Sequence, residues 1–200
     1  MKKIALVLFN VDLKILNINE YDSIVGIDRG SLLLAKNNIK MDYAIGDFDS
    51  VNNIEFELIK KYAKSLIKLN PIKDDTDTAH AIELFKNDEI TIFGGIKGKR
   101  IEHFYAILLE LVKRSNIRLI DENSLIEVMD NNDYIIKDNY KYISIFGVID
   151  SIISLSGFKY NLDNYKLSRF SSLGVSNEII SMPKINLIEG KLLLIYSNED

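Results

Sequence analysis

Short apolar runs punctuate the first part of the chain, at residues 4–9, 23–27, 43–45, 65–69, 90–93 and 117–120, and each closes on Gly, Asp or Asn. Most carry β-branched residues, and such continuous runs predict strands buried on both faces. Between them apolar residues recur at helical spacing. Leu32, Leu33, Leu34 and Ala35 predict a short helix ending near Asn37 and Asn38, and Phe56, Leu58, Ile59 and Tyr62 predict a second. Ala79, Ala81, Ile82, Leu84 and Phe85 predict a third over residues 75–85; Phe104, Ile107, Leu108 and Leu111 share one face of a fourth. Strands alternating with helices predict an α/β fold, a mostly parallel sheet with helices on both faces. From about Asn123 the texture changes. Residues 125–129, 134–136, 142–146, 151–155 and 192–196 are short strand candidates separated by turn signals such as residues 130–133, residues 137–139 and Glu189-Gly190-Lys191. The expectation is an α/β domain over residues 1–122 and a C-terminal all-β, sandwich-like domain over residues 123–200. Two stretches, residues 156–164 and 171–178, fit no strand pattern; their hydroxyl and amide groups beside Phe158 and Tyr160 suit either a flat heterocycle or polar hairpin tips.

In open α/β sheets ligands gather outside the carboxyl ends of the strands. Four polar clusters follow predicted strand ends: Asp28-Arg29-Gly30, Gly46-Asp47-Phe48-Asp49-Ser50, Lys73-Asp74-Asp75-Thr76-Asp77 and Gly94-Gly95-Ile96-Lys97-Gly98-Lys99-Arg100. They predict one functional rim. In an extended segment Asp47 and Asp49 share a face while Phe48 points away. Two carboxylates at ~4 Å and an effective dielectric of ~20 repel by roughly 4 kcal/mol, so they separate, take up a proton or hold a cation. Mg2+ suits them, since it takes a few carboxylates and fills its shell with water and phosphate oxygens. The same Gly, Asp and Ser composition also makes a plain turn.

Asp74 and Asp77 fall on one face of a helix's first turn, with Asp75 or Thr76 as its cap. Acids there also complement the helix dipole without any ligand. The glycine loop of residues 94–98, followed by Lys99, Arg100 and a helix, has the character of a phosphate cradle: close backbone approach, free amides and positive charge. It is no Walker loop, because only three residues separate Gly94 from Gly98-Lys99 and Arg100 stands where Ser or Thr is needed. Without a Gly-x-Gly-x-x-Gly fingerprint a dinucleotide is not expected. Acids beside a basic anion loop predict a metal-bound nucleoside triphosphate.

Composition narrows the classes. With 25 basic and 29 acidic residues the net charge is -4, which gives no electrostatic footprint for nucleic acid. Zero cysteines exclude a disulfide framework and cysteine-ligated zinc, and fit a reducing cytoplasm. Met1-Lys2-Lys3 and residues 4–9 read as a buried first strand rather than a leader, since Asn10 and Asp12 break the run. No apolar stretch approaches the ~20 residues that cross a bilayer, so no membrane partner is expected.

Several of these elements occur together in a known order: Asp28, Gly-Asp-Phe-Asp-Ser at 46–50, the Asp-x-Thr-Asp segment at 74–77, Gly98, Arg100, Glu102 and His103, and the late pair Gly-Phe-Lys-Tyr at 157–160 and Ser-Asn-Glu at 176–178. In this the chain resembles the thiamine pyrophosphokinase family over nearly its whole length. The resemblance implies a homodimer with residues 1–122 as nucleotide-binding catalytic domain, residues 123–200 as thiamine-binding and dimerisation domain, and a thiamine site built between subunits. It implies transfer of the pyrophosphoryl group of Mg-ATP to the thiamine hydroxyl. Asp47, Asp49 and Asp74 are expected to hold Mg2+, with Asp77 beside them in the catalytic set; Asp28, Arg29, Gly30, Lys99, Arg100, Glu102 and His103 are expected to face the nucleotide. Ser176 and Asn177 are expected to bond the aminopyrimidine. Three departures stand out: Glu102 replaces the usual Asp, Gly174 stands about where a serine is common, and the chain has no tryptophan.

Other readings remain open from sequence. Asp47-x-Asp49-x-Val51 fits the nucleophile and acid of a haloacid dehalogenase phosphatase, although two strands precede it here. A pyrophosphokinase for a pterin alcohol would share the acidic centre, and a non-catalytic nucleotide sensor would bind ATP without turnover. A lone histidine at a helix start, as His103 is, is more often a structural residue than a catalyst.

Overall fold

The computed structural model describes residues 1–72, 74–98, 100–132, 134–137 and 139–198. They divide into two compact units, the first Met1–Glu110 with Leu119–Glu122, the second Leu111–Arg118 with the chain from Asn123 onward.

The first unit is built on five parallel strands, β1 (Lys3–Val7), β2 (Ser23–Ile27), β3 (Met41–Gly46), β4 (Ala63–Lys68) and β5 (Glu89–Phe93). Their spatial order is β5-β1-β2-β3-β4, and Ile4 of β1 lies opposite Ser23 of β2 and Ile90 of β5. The continuous apolar runs are central strands: all of β2 and four residues of β1 are buried, as expected where both faces are covered. β4 is half exposed, with Lys64 and Lys68 in solvent, charges that discourage pairing at a free edge. Helices α1 (Arg29–Lys36), α2 (Asn53–Tyr62), α3 (Asp77–Leu84) and α4 (Ile101–Lys113) follow β2, β3, β4 and β5 in turn, and β6 (Ile117–Ile120) follows α4.

Each helix is delimited by its own chemistry. Asn52 and Glu55 form a reciprocal capping box at the start of α2, which satisfies two of the amides a helix start leaves unpaired. Thr76 caps α3 through the Ala79 N–H at 3.1 Å. Helix α1 stops where Asn38 takes φ 58° and the Ile39 N–H returns to the Leu34 carbonyl at 3.0 Å, a left-handed stop that Asn tolerates. Leu34, Ile59, Ala44, Phe48 and Phe93 join one core between sheet and helices. Fully burying a side chain of this size is worth about 1.5–3 kcal/mol.

The second unit is antiparallel: β7 (Ser124–Met129), β8 (Tyr142–Gly147), β9 (Ser151–Phe158), β10 (Leu162–Leu167), β11 (Asn177–Glu189) and β12 (Leu192–Ser197). β12 pairs with β7 and β8. β11 begins against β8, Asn177 opposite Ile143, and continues along β9, so one strand serves two ladders.

Two expectations need correction here. Residues 134–136 are not a strand. Side chains hold that segment instead: the Asn132 amide exchanges two 2.8 Å hydrogen bonds with the Leu187 backbone, and the Tyr134 hydroxyl donates to Glu127. β11, the longest strand, begins within the stretch 171–178 that fits no strand pattern and covers residues 179–188, where the sequence pattern predicts no element. Its ladder shifts register between Ile179 and Lys184, around Pro183, and a proline is tolerated where the ladder is already broken. Phe158, in a stretch for which the pattern leaves a flat heterocycle and hairpin tips equally open, is a core residue on β9, 3 % exposed.

Candidate active site

The ends of β2, β3 and β4 deliver three carboxylates to one place. Asp28 follows β2, Asp47 follows β3, and Asp77 opens α3 after β4; each offers an oxygen within 4.8 Å of the other two. Gly46 permits the first contact, because a Cβ there would stand 3.0 Å from the Asp28 Cα. The Asp28 N–H in turn donates to the Ile45 carbonyl at 2.8 Å. Gly30 does the same one layer away: a Cβ on it would lie 2.0 Å from the Val7 carbonyl oxygen, so only glycine lets the start of α1 seat on the end of β1. Asp28 itself sits at φ 47°, strain that the surrounding packing must hold in place.

The turn after Gly46 explains which acids meet. Phe48 has φ 59° and is buried against Phe56, ring centroids 5.3 Å apart, and the Asp47 Oδ1 accepts the Asp49 N–H at 3.0 Å. The segment is therefore a turn, and the alternation that puts Asp47 and Asp49 on one face does not apply to it. Of the metal set expected from sequence, Asp47 is in the three-carboxylate group, while Asp49 and Asp74 are exposed outside it; Asp28 and Asp77, expected beside that set, complete it.

The group has the chemistry of a cation site. The Asp28 Oδ2 accepts the Ser50 hydroxyl at 3.1 Å, but its Oδ1 is buried without a protein partner, and a buried unpaired carboxylate oxygen is costly. Burial, with Asp77 and Asp47 adding like charge, raises the Asp28 pKa despite the Ser50 hydrogen bond. A raised native pKa means that the folded state favours the protonated acid. Asp28 therefore stabilises the fold at low pH, and that contribution is lost as pH rises through its folded value. A divalent cation reverses the sign by favouring the ionised form. Added Mg2+ is accordingly expected to raise the melting temperature more at about pH 7 than at about pH 4. Melts at the two pH values check this, and equal shifts would contradict it.

The other described residues expected from sequence lie outside the three-carboxylate group. Arg29 is exposed with its guanidinium 4.5 Å above the Phe9 ring. The Arg100 Nε pairs with the Glu102 carboxylate at 2.9 Å and holds its pKa below the usual carboxylate range. His103 is exposed in the first turn of α4, its N–H on the Arg100 carbonyl. Lys73 and Lys99 lie outside the described residues. Lys97 meets Glu122 at 2.8 Å, an acid the sequence reading passed over although it follows a strand end as the other clusters do. In the second unit Ser176 is exposed at φ 52°, its N–H on the Ser144 hydroxyl. Asn177 is 4 % exposed; its side chain accepts the Tyr160 N–H at 3.0 Å and donates to the Tyr160 carbonyl at 2.8 Å. The two late motifs, residues 157–160 and 176–178, are thus joined through backbone. Gly174 has no room for a larger residue, since its Cβ would meet the Ile145 carbonyl oxygen at 2.3 Å.

Comparison with known proteins follows the same division. Residues 16–120 match the family model for the thiamin pyrophosphokinase catalytic domain and residues 132–192 that for the thiamin pyrophosphokinase vitamin B1 binding domain. A thiamine pyrophosphokinase of Bacillus subtilis (strain 168) is 34% identical over 192 residues, 90% of each chain. Among solved structures, thiamine pyrophosphokinase from Bacillus subtilis superposes with a TM-score of 0.84 at 32% identity, covering 100% of both chains. The thiamin pyrophosphokinase from Geobacillus thermodenitrificans superposes with a TM-score of 0.84 at 26% identity, covering 99% of this chain and 98% of its own. Among the described residues no helix is long and apolar enough to cross a membrane.

Proposed function

The chain belongs to the thiamin pyrophosphokinase family, and from that membership we propose that it transfers the pyrophosphoryl group of ATP to the hydroxyl of thiamine, giving thiamine diphosphate and AMP. The observation that carries the reading is the convergence of Asp28, Asp47 and Asp77 at three strand ends around a buried oxygen that no protein group satisfies. Those three would hold Mg2+, with Asp49 and Asp74 exposed on the same two connections. Bound there, the metal would neutralise phosphate charge that the acids alone repel.

The chemistry asks little covalent help of the protein. The thiamine hydroxyl oxygen bonds to the β-phosphorus, the bridge between the α- and β-phosphoryl groups breaks, AMP leaves with the bridging electrons, and the hydroxyl proton passes to a carboxylate. Such transfers depend on positioning and charge stabilisation. Arg29, Arg100, Lys99 and His103 are the groups we assign to the nucleotide side, with Glu102 orienting Arg100. Residues 1–122 would bind ATP. Residues 123–200 would bind thiamine and join the chain into a homodimer, with Ser176 at the substrate. Asn177, whose amide already serves the Tyr160 backbone, would act there through that backbone.

Incubation with Mg-ATP and thiamine, with nucleotide and phosphate products separated, tests the reading. AMP and thiamine diphosphate in equal amounts are expected. Release of inorganic phosphate in their place would mark a phosphatase, and ATP binding with no product would mark a sensor.

A further inference from the structure

Strand order marks a divergence in the first unit at strands other than those that lead to the three carboxylates. From β1 the chain adds β2, β3 and β4 successively on one side, then crosses back to lay β5 against the other edge of β1. Connections therefore diverge at the β1–β5 pair. In open parallel sheets the space outside the carboxyl ends at such a divergence is where ligands enter.

One side chain spans that space. Glu122, two residues after β6, has both carboxylate oxygens engaged across it. Its Oε1 accepts the Asp12 N–H at 2.5 Å, from the segment that follows β1; its Oε2 meets the Lys97 Nζ at 2.8 Å, from the glycine loop that follows β5. The backbone on either side is fixed in the same place, Leu8 N–H to the Phe93 carbonyl and Gly94 N–H to the Ile120 carbonyl, both at 2.9 Å. The Asp12 carboxylate shapes its own turn by accepting the Lys14 N–H at 3.0 Å. Lys97, with Asp12 adding a backbone hydrogen bond, holds the Glu122 carboxyl at about 2, so the bridge is charged at any pH where a kinase works. Its side chain is 28 % exposed, within reach of solvent but not dispersed into it.

We propose that Glu122 is a positioning residue for ATP, a clasp that fixes the spacing between the loop after β1 and the glycine loop after β5. The proposal rests on the reading of the chain as an ATP-using enzyme and adds a role for a residue outside the acidic centre and outside the basic loop. Lys97 supplies its charge to the clasp rather than to a phosphate. Two opposite consequences follow from breaking it. A clasp that positions loses nucleotide affinity when cut, whereas a clasp that only occupies Lys97 gains affinity when the lysine is freed to meet phosphate.

Glu122→Gln keeps an acceptor for the Asp12 N–H and removes the charge that holds Lys97. Lys97→Met cuts the same pair from its exposed end, and the double variant closes the cycle. The expected result is a rise of about tenfold in the KM for ATP in either single variant and no further rise in the double, with the KM for thiamine unchanged. Calorimetric titration of Mg-ATP into the same proteins without thiamine should show the same loss of affinity. An unchanged or lowered KM for ATP overturns the clasp. So does an equal rise in both KM values, which is what general loosening of the fold produces. Should the wild-type chain bind Mg-ATP but release no AMP, the enzyme reading fails while the titrations still decide the clasp; a chain that binds no ATP overturns both.

Discussion

Asp47→Asn is expected to lower AMP release by roughly 10²–10³-fold, about 3–4 kcal/mol of lost transition-state stabilisation, without lowering the melting temperature. The substitution is close to isosteric, and the new side-chain oxygen still accepts the Asp49 N–H that Asp47 holds at 3.0 Å. The turn thus survives. What disappears is one of three negative charges gathered within 4.8 Å. Without a cation those charges repel one another, so removing one leaves the fold unharmed or steadier. With a cation they are its holders, so removing one weakens metal and, through it, the grip on phosphate. Activity and stability therefore move in different directions, a signature that a misfolded variant does not give. Turnover and thermal melts on the same preparation read both. Activity within tenfold of wild type would place the reacting centre somewhere else.

Much of this centre is legible in the sequence, and the part that is not has a local cause. Asp28, Asp47 and Asp77 stand out because each follows an apolar run at a strand end, and a parallel sheet sends all such ends to one rim. The choice among neighbouring acids was not legible. It turns on one backbone angle, φ 59° at Phe48, which converts an expected extended dipeptide into a turn. Burial of the Phe48 ring against Phe56 secures that angle, a tertiary contact without local signal. The same distinction divides the fold. β1, β2 and β5 announce themselves as continuous apolar runs, whereas β10 and β11 carry mixed burial patterns, and Pro183 interrupts β11. Residues 134–136 err the other way: Tyr134, Ile135 and Ile136 are three strand-forming residues in a row, yet Asn132 and Tyr134 satisfy that segment through side chains. Glu122 obeys the same rule, since it too lies just past a strand end.

Gly30→Ala is expected to destabilise the protein by about 3 kcal/mol, a fall of roughly 6–12 °C in melting temperature for a chain of this size. The added methyl would sit 2.0 Å from the Val7 carbonyl oxygen and 3.0 Å from the Leu8 Cα. Both are backbone atoms, at the last residue of a central strand and the one after it, and neither has a rotamer to yield. The start of α1 must lift instead. Asp28 is the residue just before that helix, so lifting it withdraws a carboxylate from the group around Asp47 and Asp77. The variant should for this reason lose more turnover than its folded fraction accounts for, and its stabilisation by Mg2+ should shrink. Gly98→Ala is the control, because a Cβ there meets nothing nearer than 4.0 Å. It should melt within about 1 °C of wild type. Equal melting of the two variants would mean that α1 is not tied to β1 by close approach. The placement of Asp28 by that approach would then fall with it.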